Sequence, residues 1–288
     1  MIVKNDTSKN HQTFSKHNLL SPQKEQFQKL ILDHYRKNAR DLPWRKTDDP
    51  YHILVSELML QQTQVDRVIP KYTEFIRQFS GVKALAQAPL HRILKAWSGL
   101  GYNRRAVSLK KSAAYLAENF HGKIPGTCEE LMQLPGIGPY TASAICVFAY
   151  NQPLTFIETN IRTVYIHFFF PGQQSVKDTD ILPLVEKTLY TKNPRKWFNA
   201  LMDYGVLLKK LHANPGRKSA HHTTQSPFKG SDREIRGLII KTLLELSACT
   251  EKTLMEHVNK EQEKVKRILQ QLQEEGFIQK RGGRIALA

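Results

Sequence analysis

Residues 134–145 read LPGIGPYTASAI: two glycines around one isoleucine, a proline on each side, then a run of small residues. Pro135, Gly136 and Gly138 end any helix arriving from 127–134, and the apolar spacing of 139–150 starts another at once. The stretch is therefore a tight turn between two short helices. A glycine carries no Cβ, so another group can come up against its backbone. The first N–H groups of the following helix lack intrahelical partners and carry the positive end of the helix dipole. Pro135, Gly136, Ile137, Gly138 and Thr141 thus form a candidate cradle for a phosphate. The bland alternative is a plain connection between helices.

Working outward, apolar residues recur at three- and four-residue spacing over 24–37, 50–62, 64–79, 81–88, 90–98, 102–121, 160–170, 178–190 and 194–211. Pro/Gly punctuation separates these segments, and alternating strand patterns are nearly absent. The spacing predicts a mostly α body over 22–212, preceded by a disordered N-terminal segment, 1–21. Residues 213–231 (ANPGRKSAHHTTQSPFKGS) change character and read as a basic linker, or as an extended segment laid on a partner. Residues 232–288 form a second, smaller unit. Ser231 and Thr250 are positioned to cap two helices, and Asn259 with Gln262 resembles a capping box opening a third that runs to Glu275. Gly282-Gly283 then centres a β-hairpin. Three helices and a hairpin resemble a winged helix-turn-helix, with Lys264, Lys266, Arg267, Lys280, Arg281 and Arg284 on the third helix and the wing. A small protein–protein module with a solvated basic face is the alternative.

The chain of 288 residues carries 43 Lys+Arg against 26 Asp+Glu, a formal +17, which points to a polyanionic partner. It holds no apolar run of transmembrane length and no signal-peptide h-region, so no membrane association is expected. A cytoplasmic, nucleoid-associated location is expected in a bacterium, or a nuclear one in a eukaryote. Cys128, Cys146 and Cys249 are too scattered for a disulfide framework or a metal-ligand spacing. No structural metal is expected; His212, His221 and His222 are the one conceivable zinc set.

Two carboxylates have informative surroundings. Glu158 follows the apolar Leu154, Phe156 and Ile157 and precedes the helix that starts near Asn160. At a helix N-terminus its negative charge is favoured, so it either caps the helix or does chemistry. Glu57 lies in SELMLQQTQV, residues 56–65, one helical turn before Gln61. By itself that pair could be surface decoration.

Taken together, ARDLPWR (39–45), DPY (49–51), SELMLQQTQV, WSGLGYNRRAVSL (97–109), LPGIGPYTASAI, ETNIRTV (158–164) and FNALMDYG (198–205) resemble the MutY branch of the helix-hairpin-helix (HhH-GPD) DNA glycosylases, in order and spacing over residues 24–212. The resemblance implies a two-lobed helical body acting on double-stranded DNA that contains a mismatch or lesion, as a monomer. Glu57 matches the acid that protonates N7 of a flipped adenine. Glu158 matches the carboxylate that stabilises positive charge at C1′ of the sugar. Tyr140 matches a tyrosine that supports that cation, and Asn160 an asparagine that helps to position water. Gln62 matches the residue that wedges into the gap left by the base, with Gln61 beside it, and Tyr102 the one that intercalates by the opposite base. Arg40 and Asp203 match residues that hold the adenine edge. Arg162 is expected on backbone phosphate or on Glu158. Bifunctional relatives carry a Schiff-base lysine where Tyr140 stands, so a monofunctional enzyme is expected.

The chemistry agrees. Breaking an N-glycosidic bond needs an acid for the leaving base and an anion for the sugar cation, and the base must first leave the stack. The leading expectation is a base-excision glycosylase hydrolysing adenine from pairs with guanine or 8-oxoguanine. A glycosylase for another base, such as thymine or uracil mispaired with guanine, and a non-catalytic DNA-binding protein are the alternatives. Three departures from the family bear on the choice. Glu158 stands where the family has aspartate, and a shift of about 1 Å can cost about 10²-fold in rate. The four-cysteine loop is missing, so no iron–sulfur cofactor is expected; Lys209, Lys210, Arg217 and Lys218 are candidates for its contacts with the DNA backbone. The tail does not resemble the NUDIX-like domain that checks for 8-oxoguanine.

Overall fold

The computed structural model describes residues 13–16 and 21–288, so residues 1–12 and 17–20 of the segment expected to be disordered, 1–21, lie outside the described residues. Where that segment is described it is ordered, with Phe14 buried and its N–H donating to Phe168 O at 2.9 Å, and Ser21 opening a helix. The body is helical throughout. Its elements are α1 (Ser21–Asn38), α2 (Pro50–Leu60), α3 (Val65–Gln78), α4 (Val82–Gln87), α5 (Leu90–Trp97) and α6 (Arg104–Asn119). They continue with α7 (Cys128–Leu131), α8 (Pro139–Tyr150), α9 (Thr159–Phe169), α10 (Asp178–Thr188) and α11 (Pro194–Leu211). The tail adds α12 (Asp232–Leu246), β1 (Ala248–Thr250), α13 (Glu251–Val258), α14 (Gln262–Glu274), β2 (Ile278–Arg281) and β3 (Arg284–Leu287). Helix starts follow capping chemistry: Asp49 accepts from the Tyr51 N–H at 2.8 Å with Pro50 in the first turn, and Asn193 does the same for α11 with Pro194. No described helix is long and apolar enough to cross a membrane.

The chain divides into two compact units, Met1–Asp41 with Cys146–Thr223 and Leu42–Ile145 with Thr224–Ala288. In the first, α1, α9, α10 and α11 pack around aromatic side chains. Phe27 meets Phe168, Phe169 and Trp197 edge-on, with ring centroids 5.2–5.8 Å apart. The Phe168-Phe169-Phe170 run is buried, and truncating a ring such as Phe27 to alanine would cost about 3–5 kcal/mol. Helices α9 and α11 touch at Gly205, where an added Cβ would lie 2.7 Å from the Asn160 Cβ and closer still to its carbonyl oxygen. Only glycine fits there, which explains the last letter of MDYG. The first half of the expected linker packs against this unit: Pro215–Lys218 form a 3-10 turn, Gly216 and Ser219 are buried, and Ala220 N–H donates to Val176 O at 2.8 Å.

The second unit holds α2 to α7, the start of α8, and the tail. Trp44 and Trp97 are core residues. In the tail, β1–β3–β2 make an antiparallel sheet, with β2 and β3 joined through Gly282 and Gly283 at φ 53° and 73°. Ser231 and Thr250 cap α12 and α13 as expected. The capping box at Asn259 does not form. Asn259 is instead left-handed, φ 45° and ψ 54°, and ends α13, a conformation asparagine tolerates well; α14 starts after Glu261 without a side-chain cap. The basic face expected on α14 and the wing is largely neutralised: Lys264, Lys266, Arg267 and Lys280 pair with Glu261, Glu263, Asp232 and Glu251 at 2.8–3.1 Å.

Candidate active site

In the second unit, Glu57 sits near the end of α2 and is 7% exposed, so an acid lies inside the helical core. One turn on, Gln61 Nε2 donates to Thr141 Oγ1 at 3.2 Å, tying the end of α2 to the first turn of α8. The turn between α7 and α8 is built as its sequence demands. Gly136 adopts φ 82°, its missing Cβ would lie 2.7 Å from Ser108 Cβ, and Ser112 Oγ donates to Pro135 O at 3.0 Å. Ile137 and Thr141 are buried while Gly136 and Gly138 are exposed, so the apolar side chain anchors the turn and the glycine backbones face outward. Tyr140 is half-buried on the first turn of α8.

Gln62 and Tyr102 sit in two loops that Arg105 joins. Both have left-handed backbones, φ 54° and 48°, a strained state for such residues that persists only when the surroundings over-determine it. Arg105 supplies that constraint. Its Nη1 donates to the carbonyls of Leu58, Met59 and Gln61 at 2.7, 2.9 and 2.5 Å. Its Nη2 reaches Thr63 Oγ1 and Gly101 O, both at 3.0 Å, and its Nε bonds Tyr102 O at 3.4 Å. The guanidinium lies 5.4 Å from the Trp97 ring and 5.5 Å from the Tyr102 ring, and burial pushes its pKa down to about 10. Gln62 itself stays exposed. Sequence reasoning quoted this arginine only inside a motif; the two basic residues after Tyr102 in GYNRRA gave no sign that one of them is buried.

In the first unit, Glu158 is the N-cap of α9. Its Oε1 accepts from the N–H groups of Asn160 and Ile161 at 2.7 and 3.0 Å, and its Oε2 takes only the Asn160 side-chain amide, at 3.3 Å. The Asn160 Oδ1 in turn accepts from Lys209 Nζ at 2.7 Å, which fixes which end of the amide faces Glu158. Lys209 is half-buried in α11; desolvation lowers its pKa, opposed by Glu158 and reinforced by Arg162 and Arg40. It is therefore turned onto the Glu158–Asn160 pair rather than outward as a backbone contact. Arg40 and Asp203 are brought together: the backbone N–H of Arg40 and its Nε meet the buried Asp203 carboxylate at 3.0 and 2.5 Å. The Arg162 backbone N–H donates to Glu158 O at 2.8 Å, but its guanidinium goes elsewhere. Its Nε and Nη2 form a fork on Asp178 at 2.7 and 2.6 Å, a partner that sequence reasoning missed because it lies on the next helix. Among the described residues, no group of three or more His, Cys, Asp or Glu is arranged to hold a metal ion; His221 accepts from the Asp178 N–H, and His212 faces the ring of His167.

Residues 55–182 match the family model of the HhH-GPD superfamily of base excision DNA repair proteins. The chain is 39% identical over 194 residues to the adenine DNA glycosylase of Buchnera aphidicola (Baizongia pistaciae), covering 66% of this chain and 54% of that one. It is 32% identical over 236 residues to the adenine DNA glycosylase of Mycobacterium tuberculosis, covering 74% and 77%. The chain thus spans about half the length of the Buchnera relative and about three-quarters of the mycobacterial one. A thermostable thymine-DNA glycosylase shares the fold, with a TM-score of 0.59 at 24% identity over 66% of this chain and 89% of that one. The helical fold agrees with these likenesses, and the chain belongs to the HhH-GPD superfamily of base excision DNA repair proteins, with adenine DNA glycosylases among its relatives.

Proposed function

We propose that this chain is a monofunctional DNA glycosylase that hydrolyses adenine from pairs with guanine or 8-oxoguanine. A proton from Glu57 goes to N7 of the flipped adenine, the C1′–N9 bond breaks with its electron pair leaving on the base, and water adds its oxygen to C1′, its released proton passing to solvent, from which Glu57 is reprotonated. Glu158 steadies the positive charge on the sugar, and Asn160, oriented by Lys209, holds the outer oxygen of that carboxylate. The observation that carries the reading is the difference in placement of the two acids: one on a buried stretch of α2, the other at the N-cap of α9, where Oε1 takes two backbone N–H groups and Oε2 the Asn160 amide. Such a difference in surroundings divides the roles of acid and anion. Tyr140 supports the sugar cation. Gln62 and Tyr102 enter the duplex, Gln61 beside them. The backbone at Pro135, Gly136, Ile137, Gly138 and Thr141 receives a phosphate. Arg40 with Asp203 lies against the adenine edge.

The reading extends to the whole chain. Residues 22–212 form the glycosylase body, 213–231 the basic linker and 232–288 a winged-helix-like domain, in a monomer acting on mismatched or damaged duplex without an iron–sulfur cofactor. The place of action is the nucleoid, or a nucleus. Release of adenine is read on A:8-oxoguanine and A:G duplexes under single-turnover conditions, with alkali added to cut abasic sites. Wild type is expected to give product and Glu57→Gln to give almost none; equal product from both removes the assignment. Glu158 in the aspartate's place supports a second reading, another target base, and a panel of lesion duplexes decides between them: activity confined to adenine-containing pairs eliminates it.

A further inference from the structure

We infer that Arg233, in the tail, is a positioning residue for Tyr102, so that the tail is a working part of the head that enters the duplex. The inference rests on the proposed function in one respect, that Tyr102 inserts into DNA. Arg233 lies on the first turn of α12. Its Nη1 donates to Tyr102 Oη at 2.8 Å, and its guanidinium carbon stands 5.4 Å from the centre of the same ring. The guanidinium is itself held, because Nη2 donates to Ser226 O at 2.6 Å and to Ser226 Oγ at 3.3 Å. The amide of Gln225 also donates to the Tyr102 hydroxyl. The phenol oxygen is therefore fixed by the tail while Arg105 fixes the backbone of the same residue.

A second tie stands two residues away. Glu275, just past α14, accepts from Arg104 Nε and Nη2 at 2.9 and 2.6 Å and from Arg236 Nη1 and Nη2 at 3.0 and 2.6 Å. Arg104 opens α6 directly after the Tyr102 loop, so the tail grips that loop on both sides of Asn103. An aromatic side chain on a left-handed residue needs such fixing to present one orientation. Of the tail's other candidates for DNA contact, the basic residues of α14 and Lys280 are paired internally, while Arg281 and Arg284 on the wing are exposed.

The test uses the full chain and a duplex carrying a tetrahydrofuran abasic analogue in place of adenine, with 2-aminopurine next to the opposite guanine. Binding and the rise in 2-aminopurine fluorescence report insertion without any base being released. Arg233→Ala is expected to weaken binding about tenfold and to remove most of the fluorescence rise, the size of one hydrogen bond from a charged donor. Tyr102→Phe, which deletes only the phenol oxygen, is expected to do the same, and the double variant to be no worse than either single one. Additive losses would mean that Arg233 contacts DNA independently, and tighter binding by Arg233→Ala would mean that the tail covers the tyrosine; either overturns the inference. Should Arg233→Ala not fold, Tyr102→Phe carries the test alone, and unchanged binding by it has the same consequence. A wild type that binds and gives the fluorescence rise but never releases adenine from an A:8-oxoguanine duplex sinks the proposed function and leaves this inference standing.

Discussion

Glu57 and Glu158 are both acids in a helical protein, and they are placed in opposite ways. Glu57 is carried near the end of a helix that is buried on nearly every side: Ile53, Leu54, Val55, Leu58 and Met59 are all 3% exposed or less, and Glu57 itself is 7% exposed. Glu158 is placed by hydrogen bonds, two of them from the first turn of α9 and one from Asn160. The first acid lies on a buried helix and the second caps one, so the two should respond differently to the loss of a charge. Replacing a buried acid with its amide leaves the packing intact and removes the proposed proton donor. Replacing a capping acid with its amide leaves an oxygen for the N–H groups and removes the field.

The largest effect is expected for Glu57→Gln, a fall of about 10³-fold in the single-turnover rate of adenine release, within the range for loss of a positioned acid, with the far-ultraviolet circular dichroism unchanged. Glu158→Gln should lower the same rate by about 10²-fold, as loss of one electrostatic stabiliser does, and lower stability by about 0.5–1 kcal/mol through the weakened cap. Rate loss at Glu57 and combined rate and stability loss at Glu158 would sharpen the contrast. A Glu158→Gln enzyme with full activity and reduced stability would break it, leaving Glu158 as a cap alone.

The contrast also explains what could be read before the structure was known. Periodic apolar spacing foresaw every helix of the body to within a few residues, because each buries a stripe set by its own sequence; α9 was expected at 160–170 and runs Thr159–Phe169. The turn at 134–138 and the hairpin at Gly282-Gly283 were legible because glycine at positive φ is a local requirement. Glu158 as a cap was legible for the same reason. The partners of Arg105 were not, since its acceptors come from 58–63 and from 100–102, two segments brought together only by the packing of α2 on α6. Lys209 sits in a VLLKKL run that reads as solvated charge, and nothing local separates it from Lys210. The strand β1 is three residues long and exists because β3 pairs with it.

Arg105 extends the comparison to a cation placed entirely by long-range contacts. Arg105→Lys keeps a charge but loses the planar fork that spans two loops. A loss of about 2 kcal/mol is expected in urea denaturation, since carbonyls of Leu58, Met59, Gln61 and Gly101 cannot all be satisfied by one ammonium group. Insertion into the tetrahydrofuran duplex should weaken as well, because Gln62 and Tyr102 lose the constraint that holds them left-handed. A stable Arg105→Lys protein with normal insertion would show that the two loops hold their shapes without it.

The smallest effect belongs to a third acid with no part in the chemistry. The hydrogen bond from Arg104, with those from Arg236 and the charges of both, brings the Glu275 carboxyl down to about 2 from its ordinary 4.5 against the opposing effect of burial. In the unfolded chain it returns to the ordinary value. Between about 2 and 4.5 the unfolded state therefore binds a proton that the folded state does not, and stability rises with pH through that window. The contribution is complete above 4.5 and lost as the pH falls toward 2, and contact with solvent moderates it. Glu275→Gln removes this dependence. The melting temperature of wild type should fall more steeply than that of the variant between pH 4.5 and 3, while the two run parallel between pH 6 and 8, below the lysine range. Asp232 and Glu234, whose carboxyls are also held low by basic partners, act alike in both proteins, so the difference isolates Glu275. Parallel curves on the acid side would mean that the two arginines do not hold the tail through this carboxylate, and the second of the two ties around Tyr102 would be lost with it.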